Sequence, residues 1–453
     1  MTFDPSKRLS WKRDELFTAI AETETRGEPA RDLAAGSATD VPVAPEQEPD
    51  TDPDPLPLML RRLVTLLVIG LCVLAGCERT HGVVLWHAYN GAEREALAQS
   101  AARWNAQNPD HPVELVGVPY GAFADKITSA IPGGNGPDLF IYPQDRIGDW
   151  ADAGVIEPIE FWLDDARVDR FGVEAVGAMA YKGSLWGLPV TTKSLALYYR
   201  TDLVATPPRT TDELFELAAR MRARGGYAIA YANVDLYGHA PWLFGHGGTI
   251  MDGAGKLALA TPEAARALEF ARRLVDDKIA PARAEGPLVA TLFNEGKTAT
   301  AISGPWFIAD INASVPWAVA PLPIVSSTGK PAAPFLGAEG ILMSARAHDK
   351  DCAFAVMDWL TTDASAIERA RLARQVVPNT AAYADPAVAK DPVLAAFRAQ
   401  LDHTVPMPMG PAMRMVWTPY KTALGNVLSG RGEPAAELLA AEREVQTYLE
   451  VEH

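Results

Sequence analysis

Three side chains that could bind a small molecule lie close together in the chain: Tyr142, Asp145 and Arg146. They end or follow an apolar run, Leu139 to Tyr142, which predicts a strand covered on both faces. Ligands of open α/β sheets bind outside the carboxyl ends of the strands, so we expect these groups at a crevice. There the ring could cover the apolar face of a sugar, and the charged pair could hold its hydroxyls. The alternative is a surface ion pair beside a core tyrosine, and these residues alone favour that alternative.

Length and composition limit the classes of protein to be considered. The chain has 453 residues, 48% of them apolar, which predicts a globular protein of at least two domains. Its net charge of −16 argues against nucleic acid or an anionic membrane surface as the partner. None of the three cysteines forms a CxxC pair, which argues against a structural zinc site or a disulfide framework. They are Cys72, Cys77 and Cys352, and the apolar helical pattern around the last predicts that it is buried.

The first 77 residues differ from the rest. Residues 1–58 are rich in Pro, Asp and Glu towards their end, a composition typical of a disordered segment. Residues 59–77 combine two arginines, a short apolar run and small residues before Cys77, as in a secretory signal. The run is too short to span a bilayer, although an uncleaved anchor helix is the alternative. A signal should open its chain, so we expect Met59 to be the true start and residues 1–58 to be a misassigned or disordered extension.

The remaining chain alternates strand and helix patterns. Val83 to Asn90, Val113 to Val118 and Leu139 to Tyr142 read as strands, separated by helical spacing at Glu93 to Asn105 and Phe123 to Ile131. This β-α-β-α-β order predicts a parallel sheet with helices on both faces. Later strand and helix patterns recur to the end of the chain, so we predict an α/β protein with two lobes and several chain crossings.

A set of motifs spread over the chain from Val83 onwards is similar to the bacterial extracellular solute-binding proteins of the sugar-specific group, and most similar to its maltose/maltodextrin-binding branch. The Leu-Ala-Gly-Cys segment ending at Cys77 likewise resembles the lipobox of bacterial lipoproteins. Each motif is weak alone, and their order and spacing carry the resemblance. The motifs are Gly136-Pro137-Asp138 with Asp145-Arg146, Gly187-Leu188-Pro189-Val190, Phe293-Asn294-Glu295-Gly296-Lys297, Ser303-Gly304-Pro305-Trp306, Ala389-Lys390-Asp391-Pro392, and Trp417 with Ser429-Gly430-Arg431.

The resemblance implies a two-lobed periplasmic-binding-protein fold (type II), with mixed sheets flanked by helices, three hinge crossings and the ligand between the lobes. It implies an N-terminal lobe of residues 78–192 and 338–388, and a C-terminal lobe of residues 193–337 and 389–453. Carried over by motif, the expected sugar-binding residues are Tyr142, Asp145, Arg146, Lys193, Asp235, Tyr237, Trp306, Trp417 and Lys421.

Three positions depart from the family pattern, in which Lys193 and Ala124 are cleft acids and Lys421 is an arginine. The loss of two carboxylate acceptors and the gain of one ammonium donor leave the exact sugar and its chain length open, but not the class of ligand.

The resemblance implies a non-catalytic lipoprotein, exported and anchored at Cys77, that delivers maltose/maltodextrin-like sugars to the permease of an ABC importer. It implies no cofactor, no metal and no nucleic acid, and a monomer. The alternatives are a receptor for another glycoside or polyol such as trehalose, and a glycoside hydrolase that uses Asp145 and Asp235 as its carboxylate pair.

Overall fold

The computed structural model describes residues 82–252, 256–408 and 411–451. The expected extension of residues 1–58, the expected signal of residues 59–77 and Cys77 lie outside the described residues. The described chain forms two sheets with helices packed on them, and the predicted α/β class with two lobes is confirmed.

The first sheet has six strands, and β13 pairs with β14, β3 and β6. The strands β1 and β2, and β1 and β3, run parallel, as the β-α-β-α-β pattern predicts. β13 is antiparallel to both β3 and β6. The strands are β1 Val83–His87, β2 Val113–Gly117, β3 Leu139–Pro143, β6 Gly187–Lys193, β13 Phe335–Met343 and β14 Val405–Pro406.

The second sheet has four strands in the order β10-β7-β9-β8. Its β8 and β9 are parallel, and the other pairs are antiparallel. Two short antiparallel pairs, β4 with β5 and β11 with β12, lie outside the two sheets. The bounds are β4 Ala180–Tyr181, β5 Ser184–Leu185, β7 Ala196–Arg200, β8 Tyr227–Tyr231, β9 Thr298–Ser303, β10 Trp317–Ala320, β11 Ile324–Val325 and β12 Lys330–Pro331.

The helices cover the faces of both sheets. The α-helices are α1 Gly91–Gln107, α2 Tyr120–Ala130, α3 Ile147–Asp152, α4 Asp165–Val168, α5 Val173–Gly177, α6 Thr211–Arg222, α7 Leu236–Gly245, α8 Pro262–Asp276, α9 Gly286–Asn294, α10 Lys350–Leu360, α11 Asp363–Ala373, α12 Pro386–Lys390, α13 Pro392–Leu401, α14 Pro411–Leu428 and α15 Pro434–Val451. Short 3-10 helices span Gln144–Arg146, Glu160–Trp162, Pro305–Asp310 and Thr380–Ala384. Among the described residues, we find no helix whose length and apolarity would let it cross a membrane.

Side-chain caps fix where several helices begin. The hydroxyls of Thr210 and Thr261 accept the backbone N–H of Glu213 and Ala264, as their positions before α6 and α8 predict. These bonds satisfy amide groups that the first turn of a helix cannot pair internally.

Each sheet has its own apolar core. The first core combines Leu85, Phe140 and Ile341 from the strands with residues of α1 and α10. The second sheet is buried on both faces. One of these faces, which includes Tyr198, contacts α11, whose Ser365 also lies 3.3 Å from Ser100 in α1. The helix α11 therefore packs against both lobes.

The chain passes from the first sheet to the second within a very short distance. β6 ends at Lys193 and β7, in the other sheet, begins at Ala196. It returns between β12, which ends at Pro331, and β13, which begins at Phe335. The strands that border these two passages in the first sheet, β6 and β13, pair with each other.

Candidate functional site

Tyr142 and its neighbours form an aromatic surface at the carboxyl end of β3. The ring of Tyr142 is buried and packs edge-on against Trp150 at 5.0 Å between ring centroids. Phe123 lies 5.4 Å from it, and Tyr120, the first residue of α2, has a ring parallel to it at 5.8 Å and 8°. Tyr120 is 58% exposed. The sequence analysis did not select Tyr120, although its place just after β2 is the signal that could have found it.

Asp145 and Arg146 lie in the 3-10 turn that follows β3. The Oδ1 atom of Asp145 is buried and has no hydrogen-bond partner among the described residues. Burial raises the pKa of Asp145 to about 6, although the Arg146 guanidinium opposes the shift. An acceptor held without a partner can take a hydrogen bond from a ligand donor.

The Arg146 guanidinium lies 3.4 Å from Asp149 in α3, and it is partly exposed. The other oxygen of Asp149 lies 3.4 Å from the guanidinium of Arg414 in α14. Because α14 packs with the second lobe, Asp149 and Arg414 form an ion pair between the lobes. Arg414 was not selected from the sequence.

Lys193 ends β6 and is the centre of a buried charge cluster at the lobe junction. Its ammonium lies 3.0 Å from Glu339 in β13 and 3.7 Å from Glu93 in α1. Burial disfavours its charge, but the two carboxylates outweigh burial and raise the pKa of Lys193. For Glu339, burial is the larger influence, and it raises the pKa of that carboxyl. The Tyr89 hydroxyl donates to Glu339 at 3.0 Å, which satisfies the second carboxylate oxygen.

The same ammonium connects the cluster to the second lobe, because it lies 5.5 Å from the centroid of the Trp306 ring. An aromatic face attracts a cation at this distance. Trp306 follows Gly304 and Pro305 at the end of β9, and its side chain is partly exposed. A Cβ at Gly304 would lie 2.1 Å from the Trp306 ring. A side chain at position 304 would therefore collide with the indole in its present position, which is a physical reason for the glycine of the Ser-Gly-Pro-Trp motif.

Asp235 and Tyr237 come from the start of α7 in the second lobe. The Asp235 carboxylate caps the helix by accepting the Gly238 N–H at 2.9 Å. Burial raises the pKa of Asp235, with the cap and the Lys421 ammonium opposing the shift. The Tyr237 ring lies 6.3 Å from Trp306. Burial, followed by the charges of Glu339, Asp235 and Asp145, raises the pKa of the Tyr237 hydroxyl, so this side chain faces acids of both lobes.

Trp417 and Lys421 lie on α14. Trp417 is half-buried, and its ring is 6.3 Å from Phe335, which in turn stacks on Tyr237 at 6.1 Å. Lys421 is exposed and lines a small cavity with residues outside the predicted set, among them Val234, Arg283 and Ser429. The structure thus brings Tyr142, Asp145, Arg146, Lys193, Tyr237 and Trp306 towards one region between the lobes, with Asp235, Trp417 and Lys421 on its second-lobe side.

The arrangement can grip a neutral, hydroxyl-rich ligand. Aromatic faces are provided by Tyr120 on one lobe and Trp306 on the other, and acceptors by Asp145 and Asp235. Apolar C–H faces pack on rings, while hydroxyls act as donors and acceptors at the same time.

Comparisons with known proteins identify the family of the chain. The family model described as "Bacterial extracellular solute-binding protein" matches residues 90–367. The maltotriose-binding protein of Pyrococcus abyssi is 31% identical over 353 residues, which are 76% of this chain and 77% of that one. A maltooligosaccharide ABC transporter solute-binding lipoprotein of Streptococcus pneumoniae is 26% identical over 68% of this chain and 75% of that one.

Solved structures of similar shape belong to the same group. A crystal structure of a cyclo/maltodextrin-binding protein complexed with maltotetraose matches with a TM-score of 0.71 and 28% identity, covering 81% of this chain and 97% of that one. The match extends over both lobes, so the two-lobed architecture is shared.

Proposed function

The chain belongs to the bacterial extracellular solute-binding proteins, and we propose that it binds maltodextrin-like oligosaccharides between its lobes and delivers them to the permease of an ABC importer. The observation that carries this proposal is that rings and carboxylates of both lobes converge on one region. Tyr120, Tyr142 and Asp145 come from the first lobe, and Tyr237 and Trp306 from the second.

Each group has a role that its chemistry suits. The Tyr120 and Trp306 rings cover the apolar faces of glucose units, which removes apolar surface from water. Asp145 accepts from hydroxyls through its unpartnered oxygen, and Arg146 and Lys193 donate to hydroxyl or ring oxygens. Asp235 and Trp417 extend the same pattern into the second lobe. Lys421, whose ammonium acts on Asp235, is the proposed contact for a further unit of a longer sugar chain.

We propose that the protein binds the sugar without catalysing a reaction on it. A hydrolase would have to use Asp145 and Asp235 as its two carboxylates. Asp235 already accepts the Gly238 N–H as the cap of α7, so this carboxylate has a structural role. The named relatives are binding proteins, which also favours a receptor. We propose no cofactor for this function.

Calorimetric titration of the purified protein with maltotriose tests the proposal, with trehalose and a galactooligosaccharide as competing ligands. We expect one sugar per chain, tighter binding of maltotriose than of trehalose, and intact maltotriose after long incubation. Release of maltose and glucose would instead establish the hydrolase. Binding of trehalose or the galactooligosaccharide alone would keep the receptor and replace the sugar.

We propose export and lipid anchoring at Cys77, with residues 59–77 as the signal and Met59 as the start. The support is the Leu74-Ala75-Gly76-Cys77 sequence after an apolar run, and the lipoprotein relative. Cys77→Ser should be exported but recovered in the soluble fraction. A serine variant that still sediments with membranes, or mature peptides from residues 1–58, would contradict this proposal.

A further inference from the structure

Three side chains with different ligand atoms converge on the first lobe, away from the region between the lobes. They are His111, which precedes β2, and Asp349 and Cys352, which begin α10. One imidazole nitrogen, one carboxylate oxygen and the Sγ atom all lie within 4.8 Å of one another. His111 and Asp349 are exposed. Cys352, which the sequence pattern predicts to be buried, packs against the apolar core of the first lobe and is at most partly exposed.

Local hydrogen bonds hold the cluster from both sides. Asp349 is the N-cap of α10 and accepts the Cys352 N–H at 2.9 Å, which places the two side chains on the same turn. The backbone of His111 is fixed because its carbonyl accepts the Trp104 indole N–H at 2.8 Å. Its N–H donates to the Asn108 carbonyl at 3.0 Å.

The cluster and the proposed sugar site lie at opposite ends of the strands of the first sheet. Tyr142 and Asp145 follow the carboxyl end of β3, whereas His111 lies before the amino end of β2, which runs in the same direction as β1 and β3. β13 runs antiparallel to β3, and its last residue, Met343, pairs with Leu139 at the amino end of β3. The chain therefore arrives at Asp349 on the side away from the sugar.

We propose that His111, Asp349 and Cys352 bind a zinc ion, with water as the fourth ligand. Imidazole, carboxylate and thiolate are the three ligand types that zinc takes in proteins. Bonds of about 2.0–2.3 Å in a tetrahedron set ligand atoms about 3.3–3.8 Å apart. The exposed His111 and Asp349 side chains reach this spacing with movements of about 1 Å. The site differs from the paired-cysteine zinc sites that the sequence argued against, because it needs only one thiolate.

Binding requires the thiol to lose its proton. A thiol is mostly protonated at neutral pH, because its ordinary pKa is about 8.5. When zinc binds, the S–H bond breaks, a Zn–S bond forms and the proton goes to the solvent. The affinity for zinc therefore rises with pH, and each bound ion releases one proton.

Cobalt(II) is the probe, because thiolate bound to cobalt gives an ultraviolet charge-transfer band, and tetrahedral cobalt gives strong visible bands. Titration of the reduced full-length protein should give both bands, saturate at one equivalent and lose both when zinc is added. The bands should grow as the pH is raised. Saturation without the charge-transfer band would show that Cys352 is not a ligand and would overturn the proposal.

Variants assign the ligands. Cys352→Ser should abolish the charge-transfer band, and since Cys72 and Cys77 remain, a persistent band would locate the metal there and overturn the proposal. His111→Gln and Asp349→Asn should weaken cobalt binding at least about tenfold, and the asparagine keeps an oxygen to cap α10.

Asp351→Asn is the matched control, because it removes a neighbouring charge while an amide oxygen still accepts from the Trp162 indole. If Asp351→Asn weakened cobalt binding as much as Asp349→Asn, the metal ion would be held only by the general attraction of acidic side chains, and the proposal would be overturned. Maltotriose affinity should be the same in all four variants, which keeps this test independent of the proposed sugar site.

Discussion

At the scale of single residues, Trp306 shows how a motif produces a binding surface. Its indole lies against the bare backbone of Gly304 and keeps 36% of its surface exposed. Trp306→Ala should weaken maltotriose binding by about 1–3 kcal/mol, because an apolar contact with the sugar is lost. Stability should change by less than about 1 kcal/mol, since the ring is not part of a core. Calorimetry and urea unfolding measure the two effects.

Two variants control for this prediction. Phe161→Ala removes a ring that is 87% exposed on the first lobe, and should leave sugar binding unchanged. Gly304→Ala keeps the indole but displaces it, and should weaken binding as Trp306→Ala does. Normal sugar binding by Trp306→Ala would show that the sugar does not contact this ring.

The pKa of Asp145 provides a second prediction at this scale. The pKa is about 6 in the folded protein and about 3.9 in an unfolded chain. Below pH 4 the carboxyl is protonated in both states. Between pH 4 and 6 the unfolded state loses its proton first, so this group makes the folded state less stable as pH rises.

Asp145→Asn should remove this fall in folding stability between pH 4 and 6. Without ligand, the variant should therefore be more stable than the natural protein at pH 7 by on the order of 1 kcal/mol. It should also bind maltotriose more weakly, because an amide accepts less strongly than a carboxylate. Urea unfolding from pH 4 to pH 7 gives the first result. A difference in stability that stays constant across this range would contradict the assigned pKa.

At the scale of helices and strands, Lys193 and Glu339 join neighbouring strands, β6 and β13, at the lobe junction. Lys193→Met should destabilise the protein by about 3–5 kcal/mol, because it leaves a buried carboxylate without its partner. Lys193→Met combined with Glu339→Gln should recover part of that loss, because the glutamine carries no charge and can still accept from the Tyr89 hydroxyl. The recovery is only partial, because Glu93 also loses its cation and keeps, among the described residues, only the hydrogen bond from the Gln375 amide.

A double-mutant cycle by urea unfolding measures this coupling. Arg431→Gln, on an exposed residue after α14, provides the control for loss of a positive charge. Additive effects of the two substitutions would show that Lys193 and Glu339 do not depend on each other.

The local pattern predicted the elements that have a regular apolar period. The strands and helices from β1 to β3 agree with the sequence within a few residues, and Asp145 and Arg146 follow β3 as expected. The apolar pattern of β13 is continuous only at Ile341 to Met343, because Gly337 and Gly340 interrupt it. In the structure the strand begins at Phe335, since β14 pairs with Phe335 and Leu336 and β6 pairs from Gly337 onwards. Helices α7 and α14 each contain a proline, a residue that argues against a helix in a local pattern.

The site itself was only partly predictable. The family motifs selected the residues that follow strands, but the partners of Lys193 depend on contacts that no local pattern contains. The Tyr89 hydroxyl bonds to a carboxylate 250 positions away, and Asp149 reaches Arg414 from another lobe. The hinge crossings and the lobe boundaries drawn from the resemblance remain predictions.

At the scale of the whole molecule, the proposed ligand makes its full set of contacts only when both lobes reach it. Asp145 and Tyr120 lie on one lobe, Trp306 and Tyr237 on the other, and the chain between β6 and β7 is two residues long. A ligand shifts an equilibrium between open and closed states by the difference in its affinity for them. The Asp149–Arg414 ion pair exists only when the lobes are close, so it adds to the closed state.

Small-angle scattering tests closure directly. Saturating maltotriose should lower the radius of gyration of the natural protein, because the lobes move towards each other around the sugar. Arg414→Gln removes the ion pair between the lobes and should weaken maltotriose binding by up to about 1 kcal/mol, since both groups of the pair are partly exposed. The difference in maltotriose affinity between Arg414→Gln and the natural protein should shrink as salt is added, because salt screens the ion pair. Arg431→Gln should change neither the binding nor the scattering. A radius of gyration that stays constant at saturation would mean that the lobes are already fixed in place, and the sugar would then enter a preformed cleft without any signal of closure for the permease.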